Sequence, residues 1–243
     1  LAGFEQVAGR LVQAQLRKMG VVVKRKAAEY AQAVKEAELI IVCNGRMSYT
    51  DELGLDQVGV ELDENEFIIV NGQMQTSNPD VYAVGDIIGQ WPLAVLAIKQ
   101  GKIAAEAIAG LPVAYAPQAI PRIVWGDPEL AAVGLGKKEA EALGYEVVSG
   151  RFPLGANGRA LTLEAGNGVV LTTAEAGSEL LLGVTIVGAR ASDLIGEAAL
   201  AIEMGATLTD LAETLHPHPG LAEVLQESAE GALGKAVHVL NGG

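Results

Sequence analysis

A single cysteine in 243 residues rules out an internal disulfide and leaves no spaced thiolate ligands for a metal, so no metal site is expected. That usage fits a reducing compartment, and a cytoplasmic location is expected. Basic residues are also scarce: 17 Lys and Arg stand against 30 Asp and Glu, for a formal net charge of −13. A field of that sign repels phosphate backbones, which argues against nucleic acid as a partner. Long hydrophobic runs are missing too. The strongest, such as Leu39-Ile40-Ile41-Val42-Cys43, are strand-sized, so neither a membrane span nor a signal peptide is expected. The chain lacks a P-loop lysine motif, a G-x-S-x-G elbow and a credible G-x-G-x-x-G. Gly134-Leu135-Gly136 comes nearest to the last, but Glu139 at the third glycine position would aim a carboxylate at a pyrophosphate. It reads instead as a turn and a helix start.

Half of the residues are apolar and the mean hydropathy is +0.29, enough for one large domain or two smaller ones with real cores. The first twenty residues carry a helical stripe (Val7, Leu11, Ala14, Leu16), basic residues near its end and a glycine stop at Gly20. Val21-Val22-Val23 reads as a short strand, Ala27 to Glu38 as a helix, and Leu39 to Val42 as a fully buried strand. This alternation predicts an α/β remnant of a nucleotide-binding domain. Thr50 to Asn71 predicts short strands and turns, and Pro92 to Gly110 a long helix. Beyond Ile120 the pattern changes to five short strands (Ile120 to Trp125, Leu130 to Val133, Tyr145 to Ser149, Val169 to Thr173, Leu180 to Val187) followed by helices near Ala191 to Met204, Thr209 to Thr214 and Leu221 to Leu233. Strands adjacent in sequence and helices set apart from them predict an α+β domain built on an antiparallel sheet. Three prolines between Pro112 and Pro121 mark the domain boundary, giving expected divisions at 1–49, 50–117 and 118–243. The start at Leu1, without methionine, has the look of a fragment or processed piece.

Two segments carry chemistry. In His216-Pro217-His218-Pro219-Gly220-Leu221-Ala222-Glu223, an imidazole precedes a carboxylate by five residues across a proline-stiffened turn into a helix. A carboxylate on one ring nitrogen sets the tautomer and raises the basicity of the imidazole, leaving the other nitrogen to exchange a proton with a substrate. Read alone, so short a segment is better taken as a solvated turn with an unrelated Glu, and it is the rest of the chain that favours the dyad. In Thr76-Ser77-Asn78-Pro79-Asp80-Val81-Tyr82-Ala83-Val84-Gly85-Asp86, a strand ends on a glycine that permits close approach and a carboxylate that can accept from a ribose or ribityl hydroxyl. Asp86 could equally open a turn and cap the next helix. The helix after Pro92 could stabilise an electron-rich ring over its N-terminus. Cys43 is expected to be a small core residue rather than a nucleophile, and His238 a surface residue.

Taken together, these segments resemble the C-terminal half of the FAD-dependent pyridine nucleotide-disulfide oxidoreductases, and above all their dihydrolipoamide dehydrogenase branch. Val42-Cys43-Asn44-Gly45-Arg46 looks like the exit strand of the family's nicotinamide domain, and Thr76 to Asp86 like its second flavin motif. Ile120-Pro121, Asp127 to Gly134, and Phe152 to Ala160 with Asn157, Arg159 and Ala160 are similar to its dimerisation domain. Glu203 to Thr207, running on to Glu223 and to Lys235-Ala236-Val237-His238, is similar to the lipoamide branch.

The resemblance implies that 1–49 is a partial NAD-binding domain, 50–117 a region contacting FAD, and 118–243 the dimerisation domain of a homodimer. His218 and Glu223 would be the acid/base dyad, reaching across a two-fold interface to the disulfide and flavin of the partner subunit. Asp86, with Gly85, would bind the FAD ribityl chain, Pro92, Leu93, Ala94 and Val95 would lie under the flavin, and Gly45 would lie near NAD. The substrate would be dihydrolipoamide on an acyl carrier domain, oxidised as NAD is reduced. The partner would be the acyltransferase core of a 2-oxoacid dehydrogenase complex, whose tethering domain, if basic, would suit the acidic balance of this chain.

The family's N-terminal FAD fingerprint, redox-active Cys pair and NAD glycine fingerprint are absent, so the chain alone is expected to be inactive. A hairpin region usual between the equivalents of Val23 and Leu39 is missing. Gly220 and Ala222 stand where hydroxyl residues are usual, Val95 where a polar one is, and Ser48 where a proline is. Two alternatives remain at this point: a non-catalytic dimerisation module, or a glutathione- or mercuric-type disulfide reductase. The end in Leu240-Asn241-Gly242-Gly243, without a cysteine pair, argues against the mercuric type.

Overall fold

A computed structural model describes residues 3–24 and 26–240. The chain divides into two compact units, one formed by the residues up to Tyr30 together with Gln118 onward, the other by Ala31–Pro117. In chain order the helices and strands are α1 (Gln6–Lys18), α2 (Ala27–Glu36), α3 (Ala94–Ile108), β1 (Arg122–Val124), β2 (Glu129–Gly134), α4 (Lys137–Ala142), β3 (Val147–Pro153), α5 (Gly158–Thr162), β4 (Val169–Glu175), β5 (Leu181–Gly188), α6 (Ala191–Glu203), α7 (Leu208–Glu213) and α8 (Glu223–Ala232).

The larger unit is built on one five-stranded sheet in the order β1-β2-β5-β4-β3, with every pairing antiparallel. Alternation along the strands sends successive side chains to opposite faces. Ala131, Val133, Val170 and Ile186 join a core with Ile195 of α6, Leu208 and Leu211 of α7, and Val224 and Leu225 of α8. Their sequence neighbours Leu130, Val169 and Val187 join a second cluster with Ala8, and Val7 and Leu11 of α1 pack against it. The central strand β5 is therefore buried along its whole length. All five strands overlap the segments the sequence pattern marks, although β3 starts two residues later than expected and runs on to Pro153, and the helices behind them follow the apolar spacing. Glu139 does not face a ligand. Its carboxylate accepts from the Gly136 N–H (3.0 Å) at the start of α4, the turn and helix start that Gly134-Leu135-Gly136 was expected to be.

The smaller unit packs Val60, Ile68 and Ala83 in one cluster and Met74, Ile103 and Ala104 in another, around α3 and a 3-10 turn at Gly85–Ile88. Between residues 50 and 82 the expected strands shrink to isolated bridges, Leu62 with Ile68 and Gln75 with Tyr82.

Three local expectations are corrected. Val21 to Val23 and Leu39 to Val42 are not strands, and Leu39, Ile41 and Val42 are each more than 70% exposed. An apolar run becomes a buried strand only if neighbouring strands take up its backbone N–H and C=O groups, and among the described residues none pairs with either segment. Cys43, at the end of the second run, is consequently exposed rather than in a core. The apolar stripe of α1 packs on the second face of the antiparallel sheet, within the larger unit.

Candidate active site

The turn between α7 and α8 carries the His/Glu pair. Thr207 caps α7, its hydroxyl accepting from the Asp210 N–H while the Asp210 carboxylate accepts from the Thr207 N–H and hydroxyl. These bonds hold the Asp210 carboxyl below the usual carboxylate range. At the other end of the turn α8 begins at Glu223, two residues later than the sequence pattern suggests. The Glu223 carboxylate spans the gap: one oxygen lies 2.7 Å from His218 Nδ1, and the other accepts from the Gly220 N–H at 2.7 Å. The carboxylate is mostly covered, with 20% of its side chain exposed, whereas the His218 side chain is 79% exposed. One ring nitrogen is thus oriented by an acid while the ring itself is open to a reacting partner, which is the arrangement a general base requires.

Burial pushes the Glu223 carboxyl up, but the Gly220 N–H, the bond to His218 and the charges of His218 and His216 together hold it below the usual range. A carboxyl depressed in the folded state contributes stability above its unfolded-state value and loses it as pH falls through the folded-state value. Urea midpoints measured from neutral pH downward should therefore fall through and below the ordinary carboxylate range, and Glu223→Gln should flatten that fall. Parallel curves for the two proteins would exclude Glu223 as a contributor.

Two residues shape the turn: Asn157, which the sequence does not connect with it, and Gly220, noted there only as standing where a hydroxyl residue is usual. Asn157, 5% exposed, caps α5 by accepting from the Ala160 N–H (2.8 Å) and donates through Nδ2 to the Gly220 carbonyl (3.0 Å). The N-cap role is visible in the sequence as Asn three residues before Ala160, but the bond to a turn 63 residues away is not. Gly220 itself is required by crowding, since a Cβ there would lie 2.3 Å from the Pro217 carbonyl oxygen. A hydroxyl-bearing side chain does not fit this turn as it is folded.

The second candidate site lies in the smaller unit. Gly85 adopts φ +82°, a left-handed conformation that glycine takes without cost, and its N–H donates to Oε1 of the buried Gln100 at 2.7 Å. Gln100 in turn donates to Gln90 (2.9 Å). Asp86 follows, with a half-exposed carboxylate paired to Arg46 Nη1 at 2.6 Å. Neither Gln100 nor Arg46 was singled out by the motif, because both reach it from elsewhere in the chain. Pro92, Ala94 and Val95 are exposed and Leu93 half-buried at the start of α3, whose N-cap position has no side-chain cap. An acceptor suited to hydroxyls and an apolar helix start suited to a flat ring fit the ribityl and ring portions of a flavin. Gly45, at φ +136°, sits in an exposed loop, and no atom lies within 4 Å of the position its Cβ would take. Among the described residues no cluster of His, Cys, Asp or Glu could hold a metal ion, and no helix is long and apolar enough to cross a membrane.

The family model of the pyridine nucleotide-disulphide oxidoreductase dimerisation domain matches residues 120–229, and that of the pyridine nucleotide-disulphide oxidoreductases matches residues 2–101. The chain belongs to this family. Within the pyridine nucleotide-disulphide oxidoreductases it is similar to a dihydrolipoyl dehydrogenase of Thermus scotoductus, 46% identical over 88% of this chain and 47% of the relative. It is likewise similar to that of Haloferax volcanii (43% identical, 91% and 47%) and that of Geobacillus stearothermophilus (38% identical, 99% and 55%). The chain spans about half the length of the curated relatives it matches. Among solved structures it is similar to LpdA of Mycobacterium tuberculosis, with TM-score 0.71 and 31% identity over 76% of this chain and 40% of that one. The flavoprotein disulfide reductase RclA of Escherichia coli shares the fold, with TM-score 0.72 at 19% identity over 77% and 43%.

Proposed function

We propose that this chain is the C-terminal portion of an FAD-dependent dihydrolipoamide dehydrogenase, supplying the proton-handling pair and the surface of a homodimer. The observation that carries the reading is the His218–Glu223 contact: an open imidazole with one nitrogen held at 2.7 Å by a largely covered carboxylate. In the reaction His218 takes a proton from dihydrolipoamide through Nε2, because the thiolate is the species that attacks a disulfide. Glu223 holds the ring in the tautomer that leaves Nε2 free and stabilises the imidazolium that forms. Gly220 and Asn157 keep that carboxylate and its turn in register. Asp86 and the start of α3, from Pro92 to Val95, would hold FAD, and Gly45 would lie by NAD. Bound FAD supplies the relay of electrons from dithiol to NAD. Dihydrolipoamide on an acyl carrier domain, and the acyltransferase core of a 2-oxoacid dehydrogenase complex, are the substrate and partner of this reading, which favours a cytoplasmic location.

Reconstitution tests it. The purified chain is combined with the N-terminal half of a dihydrolipoyl dehydrogenase, and the flavin absorption spectrum and lipoamide-dependent NAD reduction are recorded. Bound flavin and turnover are expected. A stable dimer with neither would leave only a dimerisation module.

A further inference from the structure

The two histidines of the turn point in different directions. The His218 side chain is 79% exposed, whereas that of His216, two residues earlier, is 4% exposed. His216 Nδ1 lies 2.9 Å from the Thr214 carbonyl oxygen, and its Nε2 lies 2.7 Å from a carboxylate oxygen of Glu197 on α6. A backbone carbonyl only accepts, so Nδ1 must carry a proton and donate it. At 2.7 Å the contact of Nε2 with Glu197 is a hydrogen bond only when a second proton lies between them, on the ring or on the carboxyl. With both protons in place the pair is neutral as a unit, which is how a polar ring this deeply covered avoids an uncompensated desolvation cost.

The tether acts along the chain. Thr214 is where α7 ends, and its hydroxyl donates to the Asp210 carbonyl at 2.7 Å. His216 therefore ties the exit of α7 to α6. From there Pro217 and Pro219 fix their own φ and restrict the residues before them, so little torsional freedom separates the buried imidazole from the exposed one. At the far end the turn is closed by Asn157 and Glu223 on Gly220. The direction in which His218 presents its ring is inherited from where His216 is held.

We propose that His216, gripped by Glu197, is a positioning residue for the His218–Glu223 pair. The proposal rests on the reading of His218 as the proton-transfer group. Glu197→Ala removes the grip, whereas Glu197→Gln keeps a side chain of the same shape whose amide can donate to Nε2. In the complete flavoenzyme, Glu197→Ala is expected to lower kcat on the order of tenfold, the scale of a misaligned catalytic group, with KM for dihydrolipoamide little changed, and Glu197→Gln to recover most of that loss. In the chain itself, nitrogen-15 NMR of the imidazoles reads the His218 Nδ1 hydrogen bond to Glu223 directly. It should persist in Glu197→Gln and weaken in Glu197→Ala. Normal turnover with an unchanged His218 resonance in Glu197→Ala overturns the proposal, and so does an equal loss in both variants, which would assign the effect to charge rather than to grip. Should Glu197→Ala not fold, Glu197→Asp, one methylene short of His216, takes its place with the same readings. Failure of the base reading is distinct: His218→Ala would then retain turnover, while the NMR would still report whether Glu197 governs the ring of His218.

Discussion

Replacing His218 by Ala in the complete flavoenzyme is expected to cut lipoamide-dependent NAD reduction by at least about a hundredfold, the usual scale for a positioned general base. The expectation follows from the geometry of the turn. His218 meets Glu223 at 2.7 Å through Nδ1, and its largely exposed ring contributes nothing to the core. The loss should therefore appear in turnover without a loss of fold or of bound flavin. A variant that turns over within about threefold of the parent would be incompatible with a general-base role, whose removal costs far more.

The second large effect concerns stability. Gly150 on β3 lies where α8 crosses the sheet, and a Cβ there would stand 1.8 Å from the Ser228 carbonyl oxygen and 2.5 Å from Thr172 Oγ1. The backbone of Gly150 is not in the left-handed region, so the demand is for space rather than for torsional freedom. Ser228 and Thr172 are both buried, and the Thr172 hydroxyl donates to the Ser228 carbonyl at 3.2 Å, so neither has room to yield. Gly150→Ala is expected to cost about 3 kcal/mol, toward the upper end of the overpacking range, read as a lower urea midpoint at unchanged slope. Because α8 also carries Glu223, displacing it should disturb the His218 contact as well. A neutral Gly150→Ala would mean that helix and sheet slide apart freely at this crossing.

How much of this was legible in the sequence depended on where the partner of each residue lies. The five strands could be read because short apolar runs such as Leu130-Ala131-Ala132-Val133, set between turns, fit strands covered on both faces, and both faces are covered within the same unit. The pairing of His218 with Glu223 could be read because five residues of separation and Pro219 bound the distance, and because the rest of the chain resembles a family in which such a pair works. Leu39 to Val42 shows the limit: the same apolar signal that marks β5 marks this run, yet β5 has β2 and β4 beside it and Leu39 to Val42 has no strand among the described residues. Cys43 was misplaced for the same reason. The burial of His216 and the reach of Asn157 to Gly220 were illegible, since both depend on partners that only the fold brings near. Spacing tells which residues can meet along a helix or across a turn, and is silent about a carboxylate on α6 or an amide 63 residues upstream.

The double engagement of Asn157 has one more consequence. A single amide serves as lid for the first turn of α5 and as anchor for the loop that bears the proton-handling pair. Fraying of that five-residue helix and slackening of the loop are thereby one event, so thermal motion at an inconspicuous connector is transmitted to the place where chemistry is proposed to occur.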